Sequence, residues 1–202
     1  MAITTVFCDI GGVLLTNGWD HDSRRLAVER FGLDPQEFAQ RHDATMADFD
    51  CGRMTLDRYL DATVFHAPRP FSRDDFKAFM FAQSRPYTES LAVVRRLADS
   101  GRYLMATVNN ESRELNDYRI AQFRLRELFS LFFSSCYLGV RKPDAAIYRL
   151  ALDVTQRAPG ECLFVDDREP NVEPARALGM TVIHYTGADQ LARELERAGV
   201  TV

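Results

Sequence analysis

The sequence predicts an α/β protein: a parallel sheet of about five strands, flanked by helices on both faces, with a helical insertion after the first strand. Three observations predict it. Short apolar or β-branched runs recur along the chain. Stretches with helical spacing separate most of them, which implies crossover connections between parallel strands. The longest separation, about ninety residues without a convincing strand, follows the first run.

The strands are expected at 3–9, 102–108, 131–136, 162–166 and 181–185. Leu91, Val94, Leu97 and Ala98 mark a helix before the second run. Ile147, Leu150 and Ala151 mark another, with Pro143 expected just inside its start, where a missing N–H costs little. Val172, Ala175 and Leu178 mark a third, stopped by Gly179. Between the first two strands, Leu26, Phe31, Phe38, Phe49, Leu56, Tyr59, Leu60, Val64, Phe76, Phe79 and Met80 recur at helical intervals. Ser72 and Asp75 have the spacing of a capping box, and Pro68, Pro70 and Pro86 punctuate the stretch. The expected organisation is a core of residues 1–15 and 87–202, with an inserted helical unit over 16–86.

Length and composition allow this plan. The chain has 202 residues, enough for one sizeable core plus a small inserted domain. The formal net charge is -4, so no basic face is advertised and neither nucleic acid nor an acidic membrane surface is expected as a partner. No apolar run is long enough to span a membrane, and no secretion signal is visible at the N-terminus. Cys8, Cys51, Cys136 and Cys162 form no C-x-x-C pair. Cys8, Cys136 and Cys162 fall in strand-like runs, and buried reduced thiols in a cytoplasmic protein are expected.

Four strand ends carry candidate chemistry. The first ends in Asp9-Ile10-Gly11-Gly12, an exposed acid on a tight turn whose glycines allow backbone to approach an anion. The second ends in Asn109-Asn110-Glu111, amides able to hold a phosphoryl oxygen or simply to form a turn. After the third comes Arg141-Lys142-Pro143-Asp144, with a lysine placed before a helix. The fourth ends in Asp166-Asp167-Arg168-Glu169-Pro170-Asn171. Two adjacent acids after an apolar run call for a cation, and Mg²⁺ prefers carboxylate oxygen. Each element alone has an ordinary reading as a turn, a cap or a surface charge. All four lie at carboxyl ends of parallel strands, where open α/β sheets place their sites.

In this order the motifs resemble the haloacid dehalogenase (HAD) superfamily, whose core is a Rossmann-like sheet. The most specific stretches are Lys142-Pro143-Asp144 with Ile147-Tyr148, and Val165-Asp166-Asp167 through Asn171 to Ala177-Leu178-Gly179. The insertion is placed like that family's type-1 cap. The resemblance implies a Mg²⁺-dependent phosphatase acting on a small phosphorylated metabolite. Asp9 would be the nucleophile, Lys142 the balancing cation, and Asn109, Asn110, Gly11 and Gly12 the phosphate-binding positions. The metal would lie among Asp9, the Gly11 carbonyl, Asp167 and Asp166.

Two positions depart from the family pattern. Most phosphatases of the family carry a second Asp where this chain has Gly11, and a Ser or Thr where it has Asn109. A 2-haloacid dehalogenase and a catalytically silent phosphate-binding protein are therefore competing readings. The paired acids argue against the first, and the retained Asp9 and Lys142 against the second. A phosphonate hydrolase would want a lysine from the insertion, where Lys77 is the one available. Trp19, Asp20, His21 and Asp22 follow the first strand closely and are candidates to face the site, with Trp19 also readable as a core anchor.

Overall fold

The computed structural model describes residues 2–201. Strand β1 is Thr5–Cys8, β2 Leu104–Asn109, β3 Leu131–Ser134, β4 Cys162–Asp166 and β5 Thr181–His184. They form one parallel sheet in the order β3-β2-β1-β4-β5. The first strand is central, so the chain switches direction around its carboxyl end, where such sheets open a crevice.

The side chains of β1 alternate, and both faces are buried. Val6 and Cys8 join a core with Val94, Leu97 and Leu191 on one side. Phe7 joins Ile147, Tyr148, Val172 and Ala175 on the other. Helices must therefore cover both faces. Helices α5 (Thr88–Ser100) and α10 (Ala188–Arg197) contribute to the first layer, and α8 (Ala145–Thr155) and α9 (Glu169–Ala177) to the second. Helix α6 (Arg113–Gln122) follows β2, and the short α7 (Ser135–Leu138) follows β3.

The third strand is shorter than the expected 131–136. It ends at Ser134, and Ser135 and Cys136 turn into α7, so Cys136 lies on a helix while Cys8 and Cys162 lie on or at the start of strands. A run of apolar residues too short to show a period cannot separate strand from helix, and here Gly139 at φ 73° closes a single helical turn. Helix α8 begins at Ala145 rather than at Pro143; Asp144 is its cap and accepts from the Ala146 N–H. All four cysteines are free and buried. Burial pushes the thiols of Cys8, Cys136 and Cys162 up, which keeps them protonated and inert.

Four helices lie between β1 and α5: α1 (His21–Phe31), α2 (Pro35–Asp50), α3 (Leu56–Thr63) and α4 (Arg73–Ala82). Each has a side-chain N-cap, at Asp20, Asp34, Thr55 and Ser72, and the Ser72–Asp75 capping box is formed in both directions. Their aromatic residues make a cluster of their own. Trp19 meets Phe76 edge-on with centroids 5.9 Å apart, and Phe49 stacks on Tyr59 at 4.1 Å. The chain leaves and re-enters the core at one neck. Thr16 donates its N–H to the Arg85 carbonyl at 2.8 Å and its hydroxyl to Gln83 at 2.6 Å. Tyr87 donates its N–H to Leu14 at 2.8 Å. Among the described residues, no helix is long and apolar enough to cross a membrane.

Candidate active site

Asp9 follows the last residue of β1 and keeps its place in the ladder by donating its N–H to the Val165 carbonyl at 2.9 Å. Its side chain meets the Lys142 ammonium, Nζ to Oδ2, at 2.8 Å. The same ammonium donates to Asp166 at 2.6 Å and to the Val108 carbonyl at 2.8 Å. All three donors of an ammonium are thus engaged in a setting where Lys142 is only 1% exposed. Burial opposes its charge, but the two carboxylates outweigh burial and hold the ammonium above its usual range. Backbone geometry is fixed as well. The Asn110 amide accepts from the Lys142 N–H and donates to the Lys142 carbonyl, both at 2.8 Å.

The two acids of β4 have different surroundings. Asp166 is fully buried, and its Oδ1 accepts from the Arg168 N–H and the Asn171 amide, each at 2.9 Å, while Oδ2 holds Lys142. Asp167 is half-buried, and its Oδ1 is buried without a partner. Carboxylate oxygens of Asp9, Asp166 and Asp167 can lie within 4.8 Å of one another. Burial, and then the neighbouring acid, pushes the Asp167 carboxyl up; burial and Asp166 do the same to Asp9 against the pull of Lys142. Three converging carboxylates with one orphaned oxygen fit a hard divalent cation, which would relieve both shifts.

The other predicted positions separate. Gly11 lines a cavity of about 560 Å³ together with Asp9, Asn110, Lys142 and Asp167. Asn109 and Gly12 do not. The Asn109 amide donates to Asn116 at 3.0 Å and accepts from Ser134 at 2.9 Å, which ties β2 to α6 and β3 away from the cavity. Gly12 gives its N–H to Leu15. Its φ of 77° and the space beside it admit Asp167: a Cβ at Gly12 would lie 2.2 Å from Asp167 Oδ2. At Gly11 a Cβ would meet Asn17 Oδ1 at 3.0 Å and Arg119 Nη1 at 3.6 Å.

Helices of the insertion close the far wall. Trp19 is buried and lines the cavity as well, so its two readings hold together. His21 and Asp22 stand exposed at the rim. Lys77 pairs with Asp57 at 2.7 Å and is not part of the lining. The sequence reading missed a buried ion pair, Glu111 with Arg119 at 2.8 Å, whose guanidinium also donates to the Thr16 carbonyl at the neck. Burial pushes the Glu111 carboxyl up to about 7, against the pull of Arg119. It missed Arg24, His42 and Asp50 too, which line the cavity; no local signal marked them.

An acid at the end of a central parallel strand, a buried lysine bridging it to an acid pair, and a helical wall opposite define a carboxylate-built site at the open edge of a parallel α/β sheet. The chain belongs to the haloacid dehalogenase-like hydrolase family, whose model matches residues 3–179. It is similar to the bifunctional epoxide hydrolase 2 of Sus scrofa, 26% identical over 98% of this chain and 39% of that protein. It is 31% identical to the sesquiterpene phosphatase astK of Aspergillus oryzae, over 55% of this chain and 56% of that protein. The chain thus spans less than two thirds of the length of these curated relatives. A HAD family enzyme of Bacteroides thetaiotaomicron, bt-2542, solved with magnesium and inorganic phosphate, shares the fold. Its TM-score is 0.74 at 18% identity, covering 92% of this chain and 95% of that one.

Proposed function

We propose that the protein is a magnesium-dependent phosphatase of a small phosphorylated metabolite, with Asp9 as nucleophile. The observation that carries this reading is the Lys142 ammonium held between Asp9 and Asp166, beside the unpartnered oxygen of Asp167. Asp9 and Asp167, with the Gly11 carbonyl, would hold the metal, and Asp166 would position Lys142 and Asn171. When bound, the cation would neutralise phosphoryl charge and keep the Asp9 carboxylate ionised. The sesquiterpene phosphatase of Aspergillus oryzae and the magnesium–phosphate complex of the Bacteroides enzyme support the same reading.

The chain's own residues would act in two steps. An Asp9 carboxylate oxygen attacks phosphorus, the bond to the leaving oxygen breaks, and an aspartyl phosphate forms. Water then attacks that phosphorus and frees Asp9 and inorganic phosphate. Lys142 offsets the negative charge that the phosphoryl group brings to the carboxylate, and its fixed backbone keeps that charge in place without reorganisation. Helices α1 to α4 act as a cap that lines the space for the leaving group and limits water.

The test is direct. Asp9→Asn should abolish phosphate release from a panel of phosphate esters, and EDTA should remove the activity until Mg²⁺ is restored. Beryllium fluoride with Mg²⁺ should raise the melting temperature of the wild type and leave Asp9→Asn unmoved. Full activity in Asp9→Asn would overturn the assignment. Metal-independent halide release from a 2-haloacid would instead establish the dehalogenase reading.

A further inference from the structure

The wall opposite Asp9 holds a polar group that the phosphoryl chemistry does not use. His42 of α2 is 4% exposed and lines the cavity, and its Nε2 is buried without a partner. The hydrogen bonds around it settle its form. Trp19 Nε1 can only donate, and it donates to the Tyr59 hydroxyl at 2.7 Å. Tyr59 is fully buried, and its hydroxyl has one other neighbour in bonding distance, His42 Nδ1 at 2.8 Å. The hydroxyl must therefore donate to Nδ1. A neutral imidazole that accepts at Nδ1 carries its proton at Nε2. Burial and then the charge of Arg24 push His42 down to about 4, so the ring is neutral near pH 7. Nε2–H is a fixed, unsatisfied donor, and leaving such a group unpaired is costly.

Arg24 lies in the same wall. It is half-buried, donates to the Trp19 carbonyl at 2.6 Å, and forms no ion pair among the described residues. The other buried cations of the cavity are matched: Lys142 by Asp9 and Asp166, Arg119 by Glu111, and half-buried Arg141 by Asp50. Arg24, Trp19, Tyr59 and His42 thus form one bonded chain from α1 through α3 to α2, with a cation at one end and a neutral donor at the other. Met46 and Phe49, one and two turns along α2 from His42, supply apolar lining beside it.

We infer that His42 and Arg24 form a subsite for a second anionic group, a carboxylate or phosphoryl group on the leaving portion of the substrate. This rests on the phosphatase reading for the position of the first group. A guanidinium and a fixed N–H donor in one cavity wall suit an acceptor with several lone pairs, and the fixed tautomer excludes a substrate group that can only donate.

The experiment uses nonhydrolysable ligands with Mg²⁺ and calorimetry. Phosphonocarboxylates with one to four methylenes are compared with alkylphosphonates of equal length, and with α,ω-bisphosphonates of three or more carbons. At one length the dianionic ligand should bind the wild type at least ~10-fold more tightly than its alkyl counterpart, in line with a charge-assisted contact. Preference for bisphosphonates over phosphonocarboxylates would name the second group as phosphoryl; the reverse would name it as carboxylate. Arg24→Gln and His42→Phe should each remove most of the advantage while alkylphosphonates still bind. His42→Phe also strips the Tyr59 hydroxyl of its acceptor and can cost folding, so Arg24→Gln is read independently. Equal binding of dianionic and alkyl ligands by the wild type would overturn the inference and leave the phosphoryl site standing. Failure of every phosphonate to bind would overturn both.

Discussion

Replacing Lys142 with methionine keeps most of the apolar stem and removes the terminal ammonium with its charge. The ammonium sits 2.8 Å from Asp9, 2.6 Å from Asp166 and 2.8 Å from the Val108 carbonyl, all at nearly complete burial. Removing one partner of a buried charge set leaves the others uncompensated, at a cost of about 3–5 kcal/mol. For a chain of this size, 1 kcal/mol moves the melting temperature by about 2–4 °C, so Lys142→Met should melt roughly 6–20 °C lower at pH 8 in EDTA. The deficit should shrink on acidification. Without the lysine the pull that opposes burial is lost, and Asp9 holds its proton to higher pH in the folded state than the ~4 of an unfolded carboxylate. A group whose folded pKa is raised contributes stability below its unfolded pKa and loses it as pH rises through the folded one. The gap between variant and wild type should therefore be smaller at pH 5 than at pH 8. Turnover should fall at least ~100-fold at any pH where the variant is folded. Scanning calorimetry at the two pH values decides the matter. A variant that melts within about 2 °C of wild type at pH 8, or a deficit that grows toward pH 5, would refute the argument.

Gly12→Ala would place a Cβ 2.2 Å from Asp167 Oδ2 at a φ of 77°, so it should cost about 1–2 kcal/mol in stability and weaken Mg²⁺ binding at least ~10-fold; an unchanged Mg²⁺ midpoint in a thermal-shift titration would speak against Asp167 as a ligand. Because position 11 carries no carboxylate, turnover should fall steeply as the leaving-group pKa rises, in keeping with the ~10²–10⁴ that general acid help supplies. A flat dependence would show that another group delivers the proton, and loss of that flatness in Glu111→Gln would name Glu111. Gly11→Asp should fold once Asn17 shifts, yet rescue alkyl phosphates only weakly, since Arg119 stands 3.6 Å from the new Cβ and would hold the carboxylate ionised. His42, pushed down to about 4 by burial and Arg24, lowers stability as pH falls through ~6.5 toward that value. With allowance for water in the cavity, the loss is about 1–2 kcal/mol. Between pH 7 and pH 4.5, His42→Gln should lose less stability than wild type, read by urea denaturation; parallel profiles would count against a neutral buried ring.

The sequence by itself determined the order of the elements and the ends at which chemistry could sit. Apolar runs of strand length, each followed by helical spacing, leave a parallel sheet as the way to bury both faces, and a strand that ends in Asp9 or Asp166 must present its acid at the carboxyl edge. Local signals of that kind survive without tertiary context, as the Ser72–Asp75 capping box does. Side-chain direction is another matter. Asn109 and Asn110 are adjacent amides, and only the packing of Asn116 and Ser134 turned the first away from the cavity while Lys142 engaged the second. Asp166 and Asp167 are likewise indistinguishable in sequence. The pleat sends one under the sheet edge to Lys142 and leaves the other beside Gly12 with a free oxygen. Glu111–Arg119 and the Arg24–Trp19–Tyr59–His42 chain join residues from separate elements. Such contacts have no period and no motif, because the first forms only when α6 docks beside the end of β2 and the second only when α1, α2 and α3 pack on one another.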